Sequence, residues 1–146
     1  MGLAKVIPSG MTWTVCGTPD YIAPEIILNE GHDHAVDYWA MGILTYELLA
    51  GVPPFFDNNP MATYEKILAN RVYPPEFFSK SVKDIIRKLL KINKSKRFGN
   101  THGGEAAIMN HKWYGGFDWD GLIKKKLPPP IIPELKTPED ISHFNP

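Results

Sequence analysis

Two carboxylates, Asp37 and Glu47, lie inside a stretch that is otherwise apolar nearly all the way round, and their placement needs a chemical explanation. The stretch is Val36–Leu49, VDYWAMGILTYELL, in which Val36, Tyr38, Trp39, Met41, Ile43, Leu44, Tyr46, Leu48 and Leu49 leave no wet face. A helix of this kind is normally buried on every side. Each carboxylate must then meet hydrogen-bond donors or a cation, because an unpaired buried charge is costly. The plainest account is an exposed helix end at Asp37 and a structural ion pair at Glu47. The other reactive side chains suggest less. His32, His34, His102, His111 and His143 are scattered, with no Cys partner and no metal-ligand spacing, so they read as surface or loop residues and no metal site is expected. The single Cys16 excludes an intramolecular disulfide and suits a reducing interior.

The elements that must position these groups are mostly helical. Asp33 can cap the apolar helix, Gly51 suits its end, and Pro53-Pro54 prevents continuation. With fewer than eighteen apolar residues and two internal charges, it is too short and too polar to span a membrane. Asn59 caps a second helix with Pro60 in first position and an apolar stripe of Met61, Tyr64, Ile67 and Leu68. Residues 71–78, with Pro74-Pro75, should be irregular. The clearest amphipathic helix follows: Ser81 and Asp84 form a capping pair, and Val82, Ile85, Ile86, Leu89 and Leu90 fall at helical spacing. Lys83, Arg87, Lys88 and Lys91 read as its solvated face. A glycine-rich loop leads to a short helix around Glu105–Met109, and HKWYGGFDWDGL should pack by a few aromatic anchors without regular structure. From Lys124 the chain becomes proline-rich and should run extended, its three lysines simply solvated. Strand is expected only in short pieces near Lys5–Ile7.

A length of 146 residues suits one domain, and 43% apolar content can bury a core. Sixteen basic and sixteen acidic residues give zero net charge, so neither nucleic acid nor an anionic membrane is an expected partner. The first residues, MGLAKVIPSG, resemble neither a secretory signal nor, with Val6, a myristoylation site, and a cytoplasmic location is expected.

Three motifs then occur in order. Thr12–Glu25, TWTVCGTPDYIAPE, ends in Ala23-Pro24-Glu25; Asp37-Tyr38-Trp39-Ala40-Met41-Gly42 opens the apolar helix; Lys96-Arg97-Phe98-Gly99 follows the amphipathic one. Together they resemble the APE end of a protein-kinase activation segment, the D-x-W-x-x-G motif, and the arginine that pairs with the APE glutamate. The resemblance covers essentially the whole chain and is to AGC-group serine/threonine kinases, close to the cyclic-nucleotide-dependent ones. Gly31–Asp33, Asp37–Trp39, Phe117–Leu122 and Pro129–Pro133 look nearer to the cyclic-GMP-dependent than to the cyclic-AMP-dependent members. The implied fold is mainly α: a partial kinase domain over 1–122, comprising activation segment and C-terminal-lobe helices, and the start of an extended C-terminal tail over 123–146.

The resemblance implies roles. Thr14 matches the activation-loop phosphorylation site, where a phosphate orders the loop by pairing with cations, and Lys5 matches one such cation. Thr18 matches a residue bonded to the catalytic aspartate and lysine. Val15, Pro19 and Ile22 match the pocket for the apolar residue after the phosphoacceptor. Glu47 matches a carboxylate that binds an upstream arginine of the substrate, and Asp20 a weaker basic-residue contact. Asp37 would hold the catalytic-loop backbone, and Glu25–Arg97 would be a buried ion pair. Trp13 and Tyr64 match positions where regulatory cyclic-nucleotide-binding domains dock. Phe144 matches an aromatic that covers the adenine pocket.

The family uses ATP and Mg²⁺, bound by a Gly-rich loop, a strand lysine, a catalytic aspartate with its asparagine, and a DFG aspartate. None of these matches a residue of this chain. Met1 stands where the DFG phenylalanine would be, and Asn145-Pro146 replaces the expected acidic residues. No catalytic residue is therefore assigned, and the chain alone is expected to bind no ATP and to transfer no phosphate. Two functions follow: a piece of a kinase that phosphorylates Ser/Thr near upstream basic residues, or a non-catalytic binding module that sequesters substrates or regulatory domains. In either case, part of the Val36–Leu49 surface should be exposed, because the segments that cover it in the family are absent.

Overall fold

The computed structural model describes residues 2–144; the expectations placed on Met1 and on Asn145-Pro146 lie outside the described residues. The chain forms two compact units, Met1–Gly115 and Gly116–Pro146. The first holds a 3₁₀ turn, Pro19–Tyr21, and helices α1 (Pro24–Ile27), α2 (Ala35–Ala50), α3 (Pro60–Ala69), α4 (Lys80–Leu89) and α5 (Gly104–Met109). Further 3₁₀ turns occupy Lys94–Lys96 and Lys112–Tyr114. No strand forms among the described residues; a single bridge joins Thr12 to His32.

The core is the packing of α2 against α4, which contributes the buried face Val82, Ile85, Ile86, Leu89 and Leu90. Glycine at position 42 permits the close approach, since a Cβ there would lie 2.9 Å from Leu89 Cβ and 2.8 Å from Leu90 Cδ2. Trp39 is fully buried, its ring stacked on Phe55 at 5.9 Å between centroids. Burial of such side chains stabilises the fold by roughly 1.5–3 kcal/mol each. The α2 helix ends at Gly51, whose left-handed φ of 81° lets its N–H reach the Glu47 carbonyl. At its start the Asp33 carboxylate accepts from the Ala35 N–H.

Several local expectations change. The apolar helix is not buried all round, contrary to what its pattern alone implies; Leu44, Leu48 and Leu49 are exposed, Leu48 by 77%, in line with the exposure that the kinase resemblance implies for part of Val36–Leu49. In α3 the buried residues are Thr63 and Ile67, while Met61 is exposed. The cap of α4 is Ser79, whose hydroxyl accepts from Val82 N–H; Ser81 lies inside the helix. Asp84 therefore does not close a capping box. It receives Arg87, Lys88, Lys112 and His111 within 2.8–3.5 Å, so Arg87 and Lys88 are more than solvated charges. The Lys88 hydrogen bond above all, then His111 and Arg87, holds the Asp84 carboxyl well below the usual carboxylate range. His111 is buried, not superficial, because its two ring nitrogens bond Asp84 and the Trp113 N–H. His32 is buried too, under the Thr12 bridge.

The second unit contains α6 (Trp119–Ile123), a helix where only anchored loop was expected. The Asp118 side chain accepts from Gly121 N–H, and a Cβ at 121 would lie 2.2 Å from Asp118 Oδ2, so a larger residue there would have to displace the carboxylate that caps the helix. Unit 2 begins at Gly116, ahead of α6. Residues 128–135 carry no regular structure, and Asp140 ties the chain into a turn through Lys136 N–H and Ser142 N–H.

Candidate functional site

The segment before α1 carries most of the singled-out residues. Lys5 Nζ donates to Thr12 Oγ1 at 2.9 Å and to Thr14 Oγ1 at 3.1 Å, and the two hydroxyl oxygens lie 3.3 Å apart. Thr14 is exposed while Thr12 is buried. Their backbone is fixed by two bonds of 2.9 Å between Thr12 and His32. Lys5, Thr12, Thr14, Thr18, Ile22 and Asp37 all border one cavity of about 410 Å³, with His32 and His34 on its wall. An ammonium next to an exposed hydroxyl is a setting in which an added phosphate gains charge-assisted hydrogen bonds. Thr12 was not singled out from the sequence; its only signal was being two residues from Thr14, which in extended backbone places both hydroxyls on one side.

The second cluster is built where the 3₁₀ turn Pro19–Tyr21 meets α2. Tyr21 hydroxyl donates a short hydrogen bond to Glu47 Oε2. That bond, then burial and the charges of Glu47 and Asp20, pushes the Tyr21 hydroxyl up to about 12. Glu47 is thus half-buried with a neutral donor and no ion-pair partner among the described residues. Asp20 is half-buried as well, and its Oδ1 has no hydrogen-bond partner among the described residues. Two carboxylates flanking a tyrosine in this way can receive a cation. Tyr21 escaped the sequence reading because tyrosine in a turn gives no periodic signal.

Of the three residues assigned to an apolar pocket, Ile22 is buried and borders the cavity, Pro19 is half-buried, and Val15 is 66% exposed; neither Pro19 nor Val15 borders the cavity. Thr18 is exposed and its carbonyl accepts from Tyr21 N–H. Asp37 is exposed at the first turn of α2.

Arg97 is fully buried. Its Nη1 and Nη2 hold Glu25 Oε1 and Oε2 at 2.6 and 2.8 Å, and the remaining donors reach the carbonyls of Ala35, Lys91 and Ile92. The guanidinium also lies 5.3 Å from the Trp39 ring. This bidentate pair ties α1 to the segment after α4, a link across 72 residues. Asp33 sits nearby with Lys94 at 3.6 Å; burial pushes its carboxyl up, but the Ala35 N–H and Lys94 outweigh that and leave it lowered.

Trp13 is exposed, by 57%, and lies against Gly31, whereas Tyr64 is half-buried against the core. Phe144 is exposed in the second unit. Among the described residues no group of His, Cys, Asp and Glu is placed to hold a metal ion, and no helix is long and apolar enough to cross a membrane.

Residues 1–114 match the protein kinase domain family. The chain is 48% identical over 143 residues to the cAMP-dependent protein kinase catalytic subunit PRKX of Mus musculus, covering 98% of this chain and 40% of that protein. It is 48% identical over 147 residues to cGMP-dependent protein kinase 2 of Homo sapiens, covering 99% of this chain and 19% of that protein. It is 46% identical over 148 residues to cGMP-dependent protein kinase egl-4 of Caenorhabditis briggsae, covering 99% and 20%. The chain thus spans less than half the length of these relatives, and identity does not separate the cyclic-AMP from the cyclic-GMP ones.

Proposed function

The chain belongs to the protein kinase domain family, and from that premise we propose that it is the substrate-reading part of a cytoplasmic serine/threonine kinase. The whole enzyme would transfer the γ-phosphoryl group of ATP, with Mg²⁺, to Ser or Thr preceded by basic residues. Catalysis of this kind is mostly positioning and charge stabilisation. The groups that hold ATP and metal match no residue here, so this chain's contribution is recognition and activation.

One observation carries the reading: the Glu47 carboxylate is held by the Tyr21 hydroxyl with no cation of its own among the described residues, and Asp20, the second carboxylate acting on that tyrosine, leaves Oδ1 unpartnered. A substrate arginine would supply that cation, and Tyr21 would keep Glu47 oriented before it arrives. Ile22 would help form the apolar seat for the residue after the phosphoacceptor, with Val15 and Pro19 closing on it when substrate binds. Phosphorylation of Thr14 would place a dianion on Lys5, adding charge-assisted bonds where a neutral hydroxyl now accepts one. Trp13, exposed next to the loop, would be available to a cyclic-nucleotide-binding regulatory domain, with Tyr64 a second contact.

The test is a chimera that joins this chain to the upstream half of the PRKX catalytic subunit, assayed with a Ser peptide carrying arginines before the serine. We expect activity, with Glu47→Gln raising KM about tenfold and leaving kcat within about twofold, the signature of lost ground-state binding. Thr14→Ala should lower activity, and the 146-residue chain alone should show none. An active chimera whose KM ignores Glu47→Gln sinks the substrate-reading role. Tight binding of the arginine peptide by the chain alone would instead favour the non-catalytic binding module.

A further inference from the structure

The chain as a whole is neutral, yet residues 80–91 carry Lys80, Lys83, Arg87, Lys88 and Lys91 against one acid, Asp84. That acid is already committed to Lys88, Arg87, Lys112 and His111. Lys80 and Lys91 have no ionic partner among the described residues, and Lys83 reaches only the Glu76 carbonyl, at 3.4 Å. The excess positive charge surrounds a concave surface. A cavity of about 620 Å³ opens between residues 70–74 and α4, with Val72, Pro74, Ile86 and Leu90 lining it among five cations and the already paired Asp84. At its edge Asn70 donates to the Leu90 carbonyl, while its buried Oδ1 has no partner among the described residues.

We propose that this groove docks an acidic peptide segment of a partner protein, one carrying an apolar side chain among its carboxylates. The apolar side chain would sit against Val72, Pro74 and Leu90, and the carboxylates would pair with Lys80, Lys83 and Lys91. The combination selects this chemistry. A nucleic-acid backbone offers evenly spaced phosphates and relies on aromatic stacking, and no aromatic residue lines this cavity. An anionic bilayer presents a broad interface to be entered by an apolar helix face, whereas these apolar groups are recessed behind lysines. Rim lysines of this kind steer an oppositely charged partner and set partner choice, and their attraction is screened by salt. None of Tyr21, Asp20 and Glu47 lines the groove, and the inference stands whether or not the phosphotransfer reading does.

The test is fluorescence anisotropy on the 146-residue chain with a fluorescein-labelled twelve-residue peptide rich in Glu and Asp and containing two Leu. We expect saturable binding that weakens at least tenfold with Lys80→Glu/Lys91→Glu, two exposed positions at which circular dichroism should be unchanged. The milder pair Lys80→Ala/Lys91→Ala should weaken it in the same direction. Lys124→Glu/Lys125→Glu, the same charge change in the tail, should leave binding within about twofold. Replacing both leucines of the peptide by Ser should cost about tenfold. The proposal is overturned by no binding, by equal binding of the Ser peptide, or by an equal loss in the tail variant. It is also overturned by tighter binding of phosphatidylserine vesicles or a single-stranded oligonucleotide than of the peptide.

Discussion

Residues 2–18 and 19–27 adjoin in sequence and are held by opposite means. The first run is largely exposed and its polar groups meet at the surface, Lys5 reaching Thr12 and Thr14. The second run buries Ile22, Ala23, Pro24 and Glu25, and the buried charge of Glu25 is locked into Arg97. Removing a partner in the first run returns the other to water; in the second it leaves an ion in the core. Similar side-chain chemistry therefore serves a solvated surface in one run and fixed architecture in the other.

The strongest way to break that contrast is at the buried pair. Arg97→Met should destabilise the first unit by roughly 3–5 kcal/mol, seen as a lower urea midpoint, because it strands Glu25 and three carbonyls. Glu25→Leu/Arg97→Met should cost clearly less than the sum of its single changes, and strict additivity would show that the two do not act as a unit. Gly42→Ala should cost about 1–3 kcal/mol through overpacking against Leu89 and Leu90, checked by thermal melting.

Asp84→Asn should cost about 1 kcal/mol at neutral pH, since its cations are mostly surface groups. The Asp84 carboxyl is lowered on folding, so its contribution is present above its ordinary value of 3.8 and is lost as pH falls from there toward the folded value. The gap between wild type and Asp84→Asn should then shrink on acidification below about pH 4, and a constant gap would refute the linkage. Tyr21 has the reverse sign. Its hydroxyl is raised from 10.0 to about 12, so the Glu47 bond contributes below pH 10 and is lost as pH rises through 12. Tyr21→Phe should cost about 0.5–1 kcal/mol at pH 7 and remove that alkaline loss, as followed by denaturant titration at pH 8 and 11. Smallest of all, Lys5→Ala and Thr14→Ala should each change stability by less than about 0.5 kcal/mol. A larger cost, above about 2 kcal/mol, would show that the front run is structural and erase the contrast.

How far the sequence could be read follows the same line. The α4 helix was visible because Val82, Ile85, Ile86, Leu89 and Leu90 repeat at helical spacing and all five are buried. Its cap was misplaced by two residues, since Ser79 and Ser81 are chemically equivalent and only backbone geometry selects Ser79. The α2 helix was found, but its all-round burial was not, because apolar content says what a surface could bury and not what lies against it. Asn59-Pro60 and Gly51 marked helix ends correctly because their backbone preferences are local. Asp118–Gly121 was missed, its helix being too short to show a period.

The sequence alone determined the helical class, the kinase family and the order of its motifs, because these depend on residue types at fixed separations. Only the tertiary structure decided which charges meet. Glu47 could have joined a lysine and instead accepts from Tyr21; Asp84 could have closed a cap and instead gathers Arg87, Lys88, His111 and Lys112. Electrostatic partners are chosen by distances of a few ångströms between segments far apart in the chain, and no spacing along the sequence encodes those distances.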